Sequence, residues 1–135
     1  MFKYSAILAL CLYIPAVLSI SDEMKELSDM LHGTCVAETG VDESLISKVN
    51  NEKVMPDDAN LKCYIKCLLT QMAIITDDGD IDVEATVAVL PDEMRKQCEP
   101  AIRSCGTKRG ADLCETAWLT HKCYLETSPS GYFLV

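Results

Sequence analysis

The chain has 135 residues, a formal net charge of −9, and is 49% hydrophobic, with 8 cysteines and only 6% aromatic residues. That length suits a single domain, and the acidic balance argues against nucleic acid and anionic membrane as partners, because both attract basic patches.

The first residues read as a secretory leader. Lys3 supplies a short positive start, Ala6 through Leu18 form an apolar run broken by Pro15, and Val17 and Ser19 are spaced like the small residues of a signal-peptidase site. The run is too short for a membrane anchor, which needs about 20 apolar residues. We expect residues 1–19 to be a signal peptide and residues 20–135 to be one secreted, extracellular domain. Losing Lys3 with the leader and no acid takes the charge from −9 to −10, which favours solubility.

The rest of the chain has helical spacing throughout, and strand-like alternation is nowhere sustained. A first helix over residues 22–37 places Met24, Leu27, Met30 and Leu31 on one face, with Asp22 and Glu23 where acids suit the helix dipole. Val41, Leu45, Ile46 and Val49 mark a second over residues 42–49. Pro56-Asp57-Asp58 opens a third, expected to run to about Ile75 on Leu61, Tyr64, Ile65, Leu68, Leu69 and Met72. After the break at Asp77-Asp78-Gly79-Asp80 come a short helix near residues 81–89, one starting at Pro91 and one over residues 111–125. Pro129 and Gly131 then lead into the apolar end Tyr132-Phe133-Leu134-Val135.

Cys11 falls in the leader, leaving Cys35, Cys63, Cys67, Cys98, Cys105, Cys114 and Cys123 in an oxidising compartment, where this density reads as a disulfide framework. Seven is odd, so one stays free or pairs with another chain. Cys63 and Cys67 lie one turn apart on a helix, with side chains too parallel to bond each other, so each reaches a different element. Spacing carries the inference no further, since six cysteines allow 15 pairings.

The order Cys35, Cys63-x3-Cys67, Cys105, Cys114-x8-Cys123 resembles the six-cysteine signature of insect odorant- and pheromone-binding proteins. Leu61-Lys62-Cys63-Tyr64, Asp77-Asp78-Gly79-Asp80, Leu113-Cys114-Glu115, His121-Lys122-Cys123 and the terminal Tyr132-Phe133-Leu134-Val135 are similar to stretches of the mosquito-type members. The resemblance implies an all-α fold, a compact six-helix disulfide-stapled bundle enclosing a hydrophobic cavity. It implies bridges Cys35–Cys67, Cys63–Cys114 and Cys105–Cys123, worth about 2–4 kcal/mol each, and leaves Cys98 as a buried hydrophobe, a reactive pocket thiol or the link of a homodimer.

It further implies a cavity wall built from Val83, Thr86, Leu90, Met94, Cys98, Ala101, Leu119, Tyr124 and Phe133, while Glu99 and Pro100 depart from the apolar residues of similar proteins. Such a wall suits flexible chains (alcohols, aldehydes, esters or fatty acids) more than aromatic ligands, which would find few stacking partners. In similar proteins an apolar tail covers the pocket and its end carboxylate bonds inward. The matching groups here are Val135, Tyr64 and His32, which would form a pH latch that loosens in acid.

No catalytic set stands out: there is no HExxH, GxSxG or phosphate loop, and only two histidines, His32 and His121. The acidic loop lacks the earlier ligands of an EF-hand, and Cys63, Cys67, His121 and Cys123 should oxidise rather than bind zinc. We expect no enzyme, no cofactor and no metal. The expected function is transport of a small hydrophobic ligand, odorant- or pheromone-like, through extracellular fluid, with delivery at an olfactory receptor or membrane surface. The competing reading is a secreted scavenger or effector of saliva or reproductive gland, acting on small molecules or a protein partner.

Overall fold

The structure, a computed structural model, describes residues 23–135, and the expected leader with Cys11 lies outside the described residues. Among these residues six helices follow one another: α1 over residues 23–39, α2 (Glu43–Glu52), α3 (Ala59–Gln71), α4 (Val83–Ala88), α5 (Asp92–Cys105) and α6 (Leu113–Thr127). Among the described residues the only sheet-like pairing is a single bridge between Ile75 and Ile81.

Aspartates set four of the starts. The side chains of Asp42, Asp58, Asp82 and Asp112 accept from Ser44 N, Leu61 N, Ala85 N and Glu115 N at 2.8–3.0 Å, satisfying amides that have no partner inside the helix. Helix α5 starts differently. Pro91 precedes it without a side-chain cap, and Arg95 instead turns back to donate to Val87 O and Leu90 O, closing the open end of α4.

The third helix shifts at both ends. It begins at Ala59 rather than Pro56, and Pro56 O instead accepts from the Trp118 indole at 3.0 Å. It also ends at Gln71 rather than near Ile75, because Ala73 takes a left-handed conformation (φ 56°) and Ile74 N reaches back to Leu69 O. That turn drives Ile74 into the core and sets Ile75 beside Ile81. The acidic loop between them is pinned by Arg109, which pairs with Asp80 and donates to Asp78 O.

The centre of the bundle is α3 against α6, with α5 on the side of α6 and α4 on α5. Helix α3 is buried along Leu61, Tyr64, Ile65, Leu68 and Leu69, and α6 answers with Ala117, Trp118, Tyr124 and Leu125. Three bridges staple these helices: Cys35–Cys67 joins α1 to α3, Cys63–Cys114 joins α3 to α6, and Cys105–Cys123 joins α5 to α6. Cys63 and Cys67 thus reach different helices, as their spacing on one face requires. No helix among the described residues is long and apolar enough to cross a membrane.

Candidate functional site

Between α1, α3, α4, α5, α6 and the last residues lies a cavity of about 560 Å³. Leu31 of α1, Leu68 and Leu69 of α3, Ile102 of α5 and the tail supply much of its aliphatic wall. Bundles of this size normally fill such space, because each unfilled methylene volume destabilises the core. Here three disulfides tie the helices together.

Of the residues that the resemblance assigns to the wall, Thr86, Leu90, Met94, Cys98, Ala101, Tyr124 and Phe133 border the cavity. Val83 and Leu119 do not. Val83 sits in the first turn of α4 and packs against the general core. Leu119 shares a face of α6 with Lys122, Cys123 and Glu126, turned away from Tyr124, in a shallow outer groove with Lys108 and Arg109. Glu99 pairs outward with Arg103 at 3.1 Å, and neither it nor Pro100 touches the cavity. Phe133 borders the cavity yet is 62% exposed, while its neighbours Tyr132 and Leu134 point inward.

Cys98 is the free cysteine among the described residues. Its sulfur lies 3.4 Å from Gly131 O, and burial raises its pKa, so it stays a thiol. Gly131 permits this approach: a Cβ there would meet the Cys98 sulfur at 3.3 Å and Ser128 Oγ at 3.0 Å. Cys35, Glu38 and Cys67 are the metal-type side chains that cluster, but the two sulfurs are bonded to each other.

The tail is tied down from three sides. The Tyr64 hydroxyl donates to the Val135 main-chain oxygen at 2.5 Å, a carboxylate oxygen where the chain ends at this residue. His32 Nδ1 stands 2.9 Å from the same hydroxyl, and His32 Nε2 stands 2.6 Å from Glu43 Oε1. Because Tyr64 spends its single proton on Val135, Nδ1 must donate to it. Burial, with the Glu43 charge added, pushes the Tyr64 hydroxyl up to about 12, so it keeps its proton.

Helix α2 makes the second attachment. Asn50 donates to Leu134 O at 2.7 Å and accepts from Leu134 N at 2.8 Å, and Lys53 donates to Tyr132 O at 2.9 Å. The third attachment is the Tyr132 hydroxyl, 2.7 Å from His121 Nδ1. Burial pushes His121 down to about 4 and raises the Tyr132 hydroxyl, so a neutral imidazole is paired with a protonated phenol. Sequence reading missed Asn50 and Lys53. Nothing in the local pattern of Asn50-Asn51-Glu52-Lys53 distinguishes a tail clamp from an ordinary polar helix end.

A model of the PBP/GOBP family matches residues 18–127. The chain belongs to the PBP/GOBP family of odorant-binding proteins. Among relatives of this PBP/GOBP chain is general odorant-binding protein 69a of Drosophila melanogaster, 34% identical over 91 residues, which cover 67% of this chain and 62% of the relative. The match thus spans less than two thirds of that relative's length. Among solved structures, the medfly odorant-binding protein CcapOBP22/CcapOBP69a is 35% identical with a TM-score of 0.64, covering 76% of this chain and 88% of the other. Odorant Binding Protein 7 from Anopheles gambiae is 30% identical with a TM-score of 0.69, covering 78% and 86%, and carries four disulfide bridges.

Proposed function

We propose that this PBP/GOBP protein is a secreted carrier that encloses a small hydrophobic molecule, chiefly an aliphatic chain, and moves it through extracellular fluid. The observation that carries this reading is the cavity of about 560 Å³ with an almost wholly apolar wall, kept open inside a small stapled bundle. Its volume lies within the range of about 300–1,000 Å³ typical of small-molecule sites. Membership of the family supports the reading, as does the Anopheles gambiae relative, whose structure is a complex with an azo compound. Residues 1–19 would be the leader that sends the chain out of the cell.

The tail over the cavity serves in this reading as a lid that loosens in acid. Acid acts at its two ends: protonating a Val135 carboxylate weakens the acceptor of Tyr64, and charging His121 removes the acceptor of Tyr132. Displacement of a fluorescent naphthylamine probe by medium-chain alcohols and esters tests the carrier reading, with mass spectrometry of molecules extracted from native protein. Failure of every apolar ligand to displace the probe would overturn it.

A further inference from the structure

One polar atom of the cavity wall has no role in holding the protein together. Tyr124 of α6 borders the cavity and is 8% exposed, and its hydroxyl is the buried side-chain oxygen that lacks a hydrogen-bond partner among the described residues. Its ring leans on His121 with centroids 5.1 Å apart, but the His121 Nδ1 contact is taken by Tyr132. The Tyr64 hydroxyl is likewise committed, to Val135. Buried hydroxyls are nearly always paired, because an unpaired one keeps its full desolvation cost. An orphan on the wall of a ligand cavity is therefore a group waiting for a partner that the protein does not supply.

We propose that the Tyr124 hydroxyl is the polar anchor of this cavity, donating a hydrogen bond to the oxygen of a neutral ligand such as a ketone, ester or aldehyde. This rests on the carrier reading of the same cavity and names its ligand class. The hydrocarbon part of the ligand fills the aliphatic remainder. A donor role follows from burial, which pushes the Tyr124 hydroxyl up to about 12 and keeps its proton on at neutral pH. Neutrality follows from the wall, which contains no lysine or arginine among the described residues. The other titratable side chains of the wall are Cys98, His121 and Tyr132, all uncharged at neutral pH because burial raises the thiol and phenol and lowers the imidazole, and a Val135 carboxylate bordering the cavity would repel an anion. A carboxylate entering here would lose its hydration and gain no cation.

Three probe ligands of equal carbon count decide it: dodecane, methyl decyl ketone and dodecanoate, each displacing the naphthylamine probe from the full mature chain at neutral pH. We expect the ketone to bind about ten-fold more tightly than the alkane, the effect of one hydrogen bond gained by a buried donor, and dodecanoate to bind most weakly. In Tyr124→Phe the ketone advantage disappears while alkane affinity is unchanged. The infrared carbonyl stretch of the bound ketone gives a readout without a variant, falling below its value in hydrocarbon solvent if the oxygen accepts a hydrogen bond. Equal binding of ketone and alkane, a ketone preference that survives in Tyr124→Phe, an unshifted carbonyl band or tightest binding of dodecanoate overturns the anchor and leaves the carrier reading standing. Displacement by none of the three overturns both.

Discussion

Tyr64, in the middle of α3, donates its hydroxyl to the main-chain oxygen of Val135, 71 residues later in the chain. Tyr64 is fully buried, so the position of its oxygen is fixed by the core, and the tail is fastened to the most rigid part of the bundle. Tyr64→Phe keeps the ring packed and deletes only this tie. We expect a loss of about 1 kcal/mol, faster amide exchange in residues 132–135, and a ligand off-rate raised several-fold. Exchange and stopped-flow probe release would measure this. Unchanged protection of the tail would mean that Tyr64 does not hold it.

Asn50 makes a stronger attachment, since it both donates to and accepts from Leu134. Asn50→Ala removes both bonds and should cost about 2 kcal/mol. Asn50→Asp keeps an acceptor for Leu134 N but sets a second oxygen against Leu134 O, so it should do no better than alanine. Because Asn50 and Tyr64 act on the same short segment, the double variant should lose less than the sum of the single losses. Thermal unfolding of the four proteins closes that cycle, and strict additivity would show two independent segments.

These two ties mark how far the sequence could be read. The helices were legible because local chemistry decides them: apolar residues recur at helical spacing, and Asp42, Asp58, Asp82 and Asp112 cap the starts of four helices. The end of α3 was not legible, because nothing local favours Ala73 in a left-handed conformation; the tertiary gain of burying Ile74 imposes it. The side of the cavity formed by α5 could be anticipated through the resemblance, as Met94, Cys98 and Ala101 show. Leu119 could not, since its apolar character is the same whether it faces the cavity or the outer groove beside Lys108 and Lys122. Asn50 lies 84 residues from its partner, beyond the reach of any local pattern.

The bridges differ in what their loss should do. Cys63–Cys114 closes a loop of 51 residues and Cys105–Cys123 one of 18. Loop-closure entropy alone gives about 4 kcal/mol for the first and about 3 kcal/mol for the second. Replacing Cys63 and Cys114 by serine should therefore lower Tm more than replacing Cys105 and Cys123. The first pair also joins α3 to α6, two of the helices that bound the cavity, so probe binding should fall with it. Equal Tm losses with intact probe binding would show that packing, and not the staple, keeps the cavity open.

Acid should destabilise the protein through His121. Burial pushes this imidazole down to about 4, below its ordinary value of 6.5. Above about pH 6.5 both folded and unfolded chains hold it neutral. Between there and about pH 4 the unfolded chain takes up a proton that the folded chain refuses, so stability falls as pH falls. The full difference amounts to roughly 3 kcal/mol, reduced because the ring is only partly shielded from solvent. In His121→Gln this slope should flatten between about pH 6.5 and pH 4, although the pairing with Tyr132 is altered and stability at neutral pH drops by about 1 kcal/mol. Urea unfolding at several pH values separates the two effects. A slope unchanged by the substitution would place the acid response in other groups, with the Val135 end of the tail next to be tested.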